Sequence, residues 1–248
     1  MTIKAIIFDV DGTLADTEEA HRTAFNKAFA ENGLDWNWDI ALYDRLLKVT
    51  GGKERIKYFI DTCLPNFVKP WDYQDFVKNL HIVKTGHYTA MLHAGLIPLR
   101  PGIKQLIADA HRAGITLAIA TTTTPENVSA LLEVGLGKHW ADHFSVNGCG
   151  DIVTHKKPAP DIYDWVLREL ALSSSDCIAL EDSNNGLRSA LAAGVKTYIT
   201  VNPYTRKQDF TGAAAVFDDL SDLPHFYQTT GLPIPTQATQ PRKNNCPD

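Results

Sequence analysis

Two aspartates stand two residues apart where a short apolar run near the start of the chain ends. Asp9 and Asp11 lie in the segment FDVDGT, in which Gly12 allows the backbone to turn sharply. Side chains two apart in an extended strand point the same way, so both carboxylates can face one locus. Because close carboxylates repel each other, such a pair indicates a bound cation or a shared proton, although an acidic turn that closes a strand has the same spacing.

Three later segments carry polar groups that suit the same site. Residues 121–124 are four threonines before a proline that is typical of a helix start, so hydroxyl and free backbone N–H groups would converge there on an anion. Lys157 in KKPAPD supplies a positive charge, and Glu181 and Asp182 follow the apolar run 177–180. A few carboxylate oxygens suit magnesium better than zinc. Each segment alone is also typical of a helix cap or an exposed turn, but the combination indicates a site for magnesium and a phosphate.

The elements that must position these groups follow a strand-helix-strand order. Apolar runs predict buried strands at 3–8, 115–120, 177–180 and 195–199, and helical segments such as 103–112 and 162–170 precede the later ones. This alternation predicts an open parallel α/β sheet. Such sheets bind ligands beyond the carboxyl ends of their strands, where all four polar segments fall.

The pattern changes between residues 16 and 96, which we call the insertion. Long amphipathic stretches at 18–32, 53–64 and 72–91 predict helices, and no segment there is convincing as a strand. We therefore expect an all-helical cap domain at 16–96, inserted into a catalytic core made of 1–15 and 97–228. Residues 229–248 contain four prolines and no apolar period, so we expect a loose C-terminal tail.

Composition and charge narrow the class of protein. The 248 residues are 44% hydrophobic and 21% charged, which is ordinary for a globular protein. A net charge of -5 argues against binding of nucleic acid. The first apolar run is too short for a signal peptide or a membrane span, and the four cysteines lack the spacing of a metal site or a disulfide framework. We expect a cytoplasmic monomer with reduced thiols that binds neither membranes nor nucleic acid.

Taken together, the polar segments resemble the four signature motifs of the haloacid dehalogenase superfamily. DVDGT, the threonine after ITLAIA, the lysine of KPAPD, and LEDS carry the resemblance, which extends to about residue 225. The insertion resembles the cap of the subfamily that contains β-phosphoglucomutase. DTEEAH, DWNWD, TGGKERI, KKPAPDIY and ALEDSNNGLRSA are similar to segments of the CbbY-type phosphatases, which are associated with Calvin-cycle operons. The resemblance implies a Rossmann-like core and a mobile cap whose closure shields the reaction from water.

The resemblance also implies a reaction. Asp9 would attack the phosphorus of a phosphate ester and form an aspartyl-phosphate. Mg²⁺ would be held by the Asp9 carboxylate, the Asp11 carbonyl and Asp182. The Asp11 side chain would protonate the leaving alkoxide and then deprotonate the attacking water. No nucleotide or organic cofactor is expected.

Three more core residues receive roles from the same resemblance. Thr121 would donate a hydrogen bond to a phosphoryl oxygen, and Lys157 would pair with that group and with Asp9. We expect Glu181 to support the metal ligands rather than to bind the metal.

Residues of the insertion would recognise the rest of the substrate. Gly51 and Gly52 precede a helix and expose backbone N–H groups, while Lys53 and Arg55 add positive charge, which indicates a second anion site. A second phosphate on the substrate explains this site most simply, and CbbY-type enzymes act on xylulose-1,5-bisphosphate, an inhibitor of Rubisco. We expect this sugar bisphosphate as the substrate.

Other side chains are candidates for the same pocket. They are Glu18 and His21, one helical turn apart and placed to meet sugar hydroxyls, His81 and Lys84, three apart on a predicted helix, and Thr122 and Asn127 in and after the threonine run. Exposed helix faces also carry such residues. The alternatives to a specific phosphatase are a mutase of β-phosphoglucomutase type, a sugar phosphatase of broad specificity, and a binding module without turnover.

Overall fold

The computed structural model describes residues 2–233 and contains a six-stranded parallel sheet. The strands are β1 (Ala5–Phe8), β2 (Thr116–Ala120), β3 (Val146–Gly148), β4 (Cys177–Glu181), β5 (Lys196–Thr200) and β6 (Ala215–Phe217). Their order across the sheet is β3-β2-β1-β4-β5-β6, and every neighbouring pair is parallel. The predicted α/β class is confirmed, with β1 between the two halves of the sheet.

The strand register brings the carboxyl ends of the central strands together. Phe8 of β1 pairs with Ile119 of β2 and with Leu180 of β4. The segments that follow these residues therefore emerge at one edge of the sheet, on both sides of β1. Side chains of β1 alternate between two apolar clusters, with Ile6 in one and Ile7 in the other, so both faces of the strand are buried.

Nine α-helices surround the sheet within the described residues. They are α1 (Glu18–Glu31), α2 (Ile40–Leu46), α3 (Gly52–Cys63), α4 (Tyr73–His93), α5 (Ile103–Arg112), α6 (Pro125–Leu136), α7 (Asp161–Leu170), α8 (Asn184–Ala192) and α9 (Leu223–Thr230). The first four follow β1 directly and make up the insertion, which contains no strand. None of the helices in residues 2–233 has the length and apolar character that crossing a bilayer requires.

The insertion has an apolar cluster of its own. Phe25, Phe29, Trp38 and Phe59 are buried in it, and the Trp38 ring lies 4.5 Å from Phe25 and 4.9 Å from Phe29, measured between ring centroids. Aromatic side chains bury large areas and pack in tilted or edge-to-face geometries. This cluster can therefore stabilise the four helices independently of the core around the sheet. The insertion rejoins the sheet unit at an isolated antiparallel bridge between Ala15 and Leu99.

Four features of the fold differ from the sequence prediction. Strands β3 and β6 and helix α2 were not predicted, because three-residue strands and a seven-residue helix carry too little periodic pattern. The expected start of the tail at residue 229 is too early, since α9 continues to Thr230 and Leu232 is buried against the sheet cluster. The rest of the expected tail lies outside the described residues. Within the described residues, Cys63, Cys149 and Cys177 are free thiols.

Candidate active site

A cavity of about 1310 Å³ opens at the carboxyl edge of the sheet and is lined both by loops after the strands and by the insertion. All the residues predicted to be catalytic, to bind substrate or to bind metal line it, whereas Glu181 does not. They are Asp9, Asp11, Glu18, His21, Gly51, Gly52, Lys53, Arg55, His81, Lys84, Thr121, Thr122, Asn127, Lys157 and Asp182. Residues up to 173 positions apart in the sequence, Asp9 and Asp182, therefore share one cavity, as the order of the strands requires.

Three buried carboxylates converge at the floor of the cavity. One oxygen from each of Asp9, Glu181 and Asp182 lies within 4.8 Å of the others. The nearest positive charge is Lys157, whose Nζ lies 2.7 Å from Oδ1 of Asp9 and 2.6 Å from Oε1 of Glu181. Three carboxylates and one ammonium leave an excess of negative charge in a buried place, and oxygen ligands suit Mg²⁺. The residues present therefore fit a divalent cation.

The pKa values of the cluster express the same excess of negative charge. Burial raises the pKa of Asp9 to about 7, although Lys157 opposes the shift, and burial together with the Asp9 charge raises the pKa of Asp182 well above its usual value. Burial alone would lower the pKa of Lys157, but Asp9 and Glu181 raise it above the ordinary value, so this lysine stays charged. A bound cation would reverse the shifts of the two aspartates, because it favours their ionised forms.

The turn after β1 is shaped by Asp182. Gly12 has φ of 83°, and a Cβ at this position would lie 2.2 Å from Oδ2 of Asp182. Only glycine permits this approach, so the turn and the carboxylate are in direct contact. Nδ2 of Asn202, in the loop after β5, donates to the same Oδ2 over 2.7 Å and fixes its position. Asn202 has no motif-like signal in the sequence, and it was not predicted.

Glu181 has two different oxygens. Oε1 accepts hydrogen bonds from Nζ of Lys157 and from the hydroxyl of Tyr163, each over 2.6 Å. Oε2 is buried and has no hydrogen-bond partner among residues 2–233. Glu181 thus anchors the lysine through one oxygen, while the other packs against Gly186 in the first turn of α8, where any Cβ would collide with it.

Asp11 lies apart from the carboxylate cluster and faces the insertion. Its Oδ1 accepts hydrogen bonds from Oγ1 of Thr17 over 2.8 Å and from Nε2 of His21 over 2.9 Å. Burial alone would raise the pKa of Asp11, but the electrostatic interaction and hydrogen bond with the His21 ring and the hydrogen bond of Thr17 hold this pKa below its usual range. The carboxylate form is therefore favoured while the cavity holds no substrate.

His21 forms a bridge from Asp11 to a buried lysine. Its Nδ1 lies 2.6 Å from Nζ of Lys84, and its ring stacks on Tyr88 with centroids 3.9 Å apart. In its ammonium form Lys84 can only donate, so Nδ1 then accepts from Lys84 and Nε2 carries the hydrogen that is donated to Asp11. Both ring nitrogens are engaged, so in this structure His21 holds Asp11. Contrary to the expectation, it has no free nitrogen for a sugar hydroxyl.

The threonine run lines the cavity beside the carboxylates. Thr121 is buried, its backbone N–H donates to the Gly148 carbonyl over 2.9 Å, and its Oγ1 accepts from the Thr123 N–H over 3.3 Å. The hydroxyl hydrogen of Thr121 is therefore left to donate. Asn127, one turn into α6, donates from Nδ2 to Oγ1 of Thr123 over 3.0 Å, and its Oδ1 is buried with no partner among the described residues.

The residues expected to form a second anion site lie at the start of α3. A Cβ at Gly52 would lie 2.4 Å from Nε2 of His81, so the glycine allows the imidazole to pack onto the helix turn. Burial, and next the charge of Lys84, lowers the pKa of His81 to about 3, so this ring is neutral. Lys53 is engaged in an ion pair with Asp151, a residue of the loop after β3.

Arg55 and Glu18 are joined through a tyrosine. Nη1 of Arg55 donates to the hydroxyl of Tyr43 over 3.0 Å, and this hydroxyl donates to Oε2 of Glu18 over 2.9 Å. Arg55 also donates from Nε to the Val49 carbonyl over 3.3 Å. The chain of contacts fixes one wall of the cavity, and Tyr43 is its central, fully buried member.

Comparison with known proteins identifies the family. Residues 3–194 match the family model of haloacid dehalogenase-like hydrolases. The CbbY protein of Cupriavidus necator is 50% identical over 220 residues, covering 89% of this chain and 87% of the relative. A crystal structure of a CbbY variant from Rhodobacter sphaeroides in complex with xylulose-1,5-bisphosphate has a TM-score of 0.84 and 46% identity, over 90% of this chain and 96% of that one.

A more distant neighbour shares the architecture alone. The β-phosphoglucomutase of Clostridium difficile has a TM-score of 0.75 with 19% identity, over 93% of this chain and 98% of that one. This likeness shows the fold alone and does not distinguish a phosphatase from a mutase. The family match, the identity with CbbY proteins and the position of the motifs together establish that the chain belongs to the haloacid dehalogenase-like hydrolases, as a phosphatase of the CbbY type.

Proposed function

We propose that the enzyme is a magnesium-dependent phosphatase of a sugar bisphosphate, with xylulose-1,5-bisphosphate as its substrate and an aspartyl-phosphate on Asp9 as its intermediate. By this reaction it would remove an inhibitor of Rubisco, acting as a cytoplasmic monomer. The observation that carries the proposal is the buried Asp9 carboxylate, paired with Lys157 beside Asp182 at the floor of a cavity that has room for a sugar bisphosphate. The complex of the related CbbY variant with xylulose-1,5-bisphosphate supports the choice of substrate.

The first half-reaction transfers the phosphoryl group to Asp9. A carboxylate oxygen of Asp9 attacks phosphorus, the bond from phosphorus to the ester oxygen breaks, and the sugar leaves as an alcohol once that oxygen is protonated. Lys157 holds the nucleophile at 2.7 Å and its positive charge offsets charge on the phosphoryl group. The Thr121 hydroxyl, whose hydrogen is left to donate, supports one phosphoryl oxygen.

Asp11 serves as acid and then as base. The arriving phosphate adds negative charge next to it, which raises its pKa and favours the protonated form that the leaving oxygen needs. After the sugar has left, the Asp11 carboxylate takes a proton from the water that attacks the phosphorylated Asp9. The hydrogen bonds from Thr17 and His21 hold Asp11 for both steps.

Asp9, Asp182 and the Asp11 carbonyl would hold the Mg²⁺, and Glu181 lies close enough to Asp9 and Asp182 to join them. When bound, the ion would neutralise charge on these carboxylates and on the phosphoryl oxygens. Its presence would also allow three buried carboxylates to stay ionised together, which a single lysine does not achieve.

A mutase of β-phosphoglucomutase type is the nearest alternative, since it uses the same aspartate but returns the phosphoryl group to a sugar. Direct measurement of inorganic phosphate separates the two. With xylulose-1,5-bisphosphate and Mg²⁺ we expect one phosphate released per substrate, whereas a mutase would release almost none. A comparison with pentulose and hexose monophosphates tests specificity, since a phosphatase of broad specificity would hydrolyse them with similar kcat/KM.

The role of the nucleophile is tested by Asp9→Asn. This variant keeps the shape of the side chain but lacks the anionic oxygen, so we expect a folded protein with kcat reduced at least ~10⁴-fold, the scale seen when a nucleophile is lost. Circular dichroism and thermal unfolding would verify the fold. Normal phosphate release by Asp9→Asn would rule out the aspartyl-phosphate mechanism.

A further inference from the structure

A tyrosine of the sheet unit packs on the apolar cluster of the insertion. Tyr204 lies in the loop after β5, whereas every other member of that cluster falls within residues 16–96. Its ring meets the Tyr43 ring edge-on, with centroids 6.0 Å apart, and its hydroxyl donates to Oε2 of Glu19 over 2.8 Å. Burial, and next the hydrogen bond to Glu19, raises the pKa of Tyr204 to about 12, so the hydroxyl stays a donor. Tyr204 thus binds the insertion through both its ring and its hydroxyl.

The acceptor of this hydrogen bond is fixed within the insertion. Nε and Nη2 of Arg22 donate to the two carboxylate oxygens of Glu19 over 2.9 and 2.5 Å, and Nη1 of Arg22 donates to the Trp38 carbonyl over 2.7 Å. A fork of two hydrogen bonds fixes a carboxylate in position and in orientation. Glu19 therefore moves together with α1, so the Tyr204 contact depends on where α1 lies.

The loop that carries Tyr204 is also bound to the proposed metal site. Oδ1 of Asn202 accepts from the backbone N–H groups of Tyr204 and Thr205 over 2.9 and 3.1 Å, and its Nδ2 donates to Oδ2 of Asp182 over 2.7 Å. The reverse orientation of this amide would place its oxygen against the carboxylate and its N–H groups against two donors, so the partners fix the orientation. Asn202 is only 3% exposed. One buried amide thus joins the Tyr204 turn to a predicted metal ligand.

Asn202 is the main restraint on the Asp182 carboxylate. Of the three carboxylates at the floor of the cavity, Asp9 and Glu181 are paired with Lys157. The Asp182 carboxylate has no such ion pair, and Asn202 is its one hydrogen-bond donor among residues 2–233. A movement of the turn at Asn202 is therefore passed on to Asp182, whereas the other two carboxylates are held by the lysine.

We propose that Tyr204 and Asn202 are positioning residues that couple docking of the insertion to the orientation of Asp182, and so to the affinity for Mg²⁺. The proposal rests on the metal of the proposed function and not on its substrate. While Glu19 holds Tyr204, the turn keeps the Asn202 amide on Asp182. Outer partners of this kind orient the ligands of a metal and raise its affinity. The coupling is reciprocal, so Mg²⁺ binding also favours docking of the insertion.

A tyrosine variant tests the coupling and leaves the metal ligands unchanged. Tyr204→Phe keeps the ring on the cluster of the insertion and removes only the hydroxyl. The insertion stays docked through other contacts, such as the hydrogen bond from Nδ2 of Asn185 to Oγ1 of Thr50 over 3.1 Å. In titration calorimetry without substrate, the Kd for Mg²⁺ should rise about threefold, the scale of one weak hydrogen bond.

Tyr227→Phe is the matched control. The Tyr227 hydroxyl donates to Oδ2 of Asp109 over 2.7 Å, within the sheet unit and outside the cavity. This variant also loses one hydrogen bond from a tyrosine to a carboxylate, but its Kd for Mg²⁺ should equal that of the wild type. A general loosening of the fold would raise Kd in both variants. Equal effects of the two changes, or no effect of Tyr204→Phe, would overturn the proposal.

Asn202→Ala removes the connection between the turn and Asp182. The Kd for Mg²⁺ should rise about tenfold to hundredfold, the range for loss of an outer partner of a metal ligand. Adding Tyr204→Phe to this variant should leave Kd unchanged, because the hydroxyl then has no path to Asp182. Effects that multiply would show independent roles and contradict the coupling. If Asn202→Ala does not fold, the comparison of Tyr204→Phe with Tyr227→Phe decides the question alone.

The same titrations separate failure of the coupling from failure of the proposed function. If the wild type binds no Mg²⁺, the metal-dependent mechanism is wrong and the coupling falls with it. If the wild type binds Mg²⁺ and Tyr204→Phe binds it equally well, only the coupling is wrong. If Tyr204→Phe weakens Mg²⁺ binding but the wild type does not hydrolyse xylulose-1,5-bisphosphate, the coupling stands and the substrate assignment is wrong.

Discussion

Nδ1 of His21 lies 2.6 Å from Nζ of Lys84, in a buried place where no carboxylate of residues 2–233 is ion-paired with the lysine. Burial lowers the pKa of Lys84 to about 7, the Asp11 charge opposes the shift, and the Arg55 charge adds to it. Retaining a lysine here costs stability. The geometry gives the reason for its presence, since the lysine fixes the tautomer of His21 and so directs an N–H at Asp11.

We expect Lys84→Met to lose activity without losing stability. Without the ammonium, Nδ1 of His21 has no donor and the hydrogen bond to Asp11 is no longer enforced, so kcat should fall about tenfold to hundredfold, a part of the ~10²–10⁴-fold that a general acid-base contributes. The acid limb of the pH-rate profile should move to higher pH, because Lys84 helps to hold the pKa of Asp11 down.

The stability of Lys84→Met should depend on pH in a defined direction. The folded pKa of Lys84, about 7, lies below its ordinary value of 10.5, so the buried ammonium destabilises the fold fully below pH 7 and progressively less up to 10.5. The variant should therefore gain more in Tm at pH 6 than at pH 10. Lys78→Met, on an exposed position of the same helix, should show neither effect, and a fall in Tm at pH 6 for Lys84→Met would contradict the assignment.

The Asp182→Asn variant should no longer be stabilised against thermal unfolding by Mg²⁺. By the proposed function Mg²⁺ binds the folded protein and not the unfolded chain, so at ~100 times its Kd it should stabilise the wild-type fold by about 2.7 kcal/mol. In Asp182→Asn the thermal shift on adding Mg²⁺ should disappear and activity should be lost. The metal-free variant should be at least as stable as the metal-free wild type, because one of three crowded carboxylates is gone.

The matched control for this variant is Asp164→Asn, which alters an exposed carboxylate on α7 outside the cavity. Its Mg²⁺-induced shift should equal that of the wild type. If Asp182→Asn kept the full shift, the cation would have to bind elsewhere.

The core of the site was predictable because its residues follow strands with a clear apolar pattern. Asp9, Thr121 and Asp182 each come one or two residues after a buried run, and parallel strands bring such positions to one edge. Lys157 was found through its proline-rich motif. These signals lie in short stretches of the sequence and do not depend on which distant residues contact them in the fold.

The partners of these residues were not predictable, because they depend on packing between distant segments. The Tyr163 hydroxyl donates a hydrogen bond to Glu181 from the buried face of α7. A tyrosine on an apolar helix face is ordinary core packing, so the sequence did not single it out. Lys53 was expected to face a phosphate, and its partner Asp151 lies across the cavity in a loop with no motif. Short strands such as β3 exist only through pairing with their neighbours.

Arg100 is another buried residue that the sequence did not reveal. Its guanidinium donates to the carbonyls of Gly12 over 2.5 Å and of Val201 over 2.5 Å, and to the carbonyls of Thr200 and Asp218 over 3.0 and 2.9 Å. These carbonyls belong to the turn after β1 and to the ends of β5 and β6. Arg100 thus ties the turn that carries Asp11 to the far half of the sheet.

We expect Arg100→Lys to lower both stability and activity despite the retained charge. A lysine has a single nitrogen and cannot reach four carbonyls, so buried acceptors are left unpaired and the free energy of unfolding should fall by about 3 kcal/mol. Urea unfolding measures this loss, and kcat should fall with it as the turn bearing Asp11 loosens. Arg206→Lys is the matched control, because Arg206 binds the side chain of the same Asp218 at an exposed site. That change should cost less than about 0.5 kcal/mol, so equal effects of the two variants would show that the buried carbonyls do not depend on Arg100.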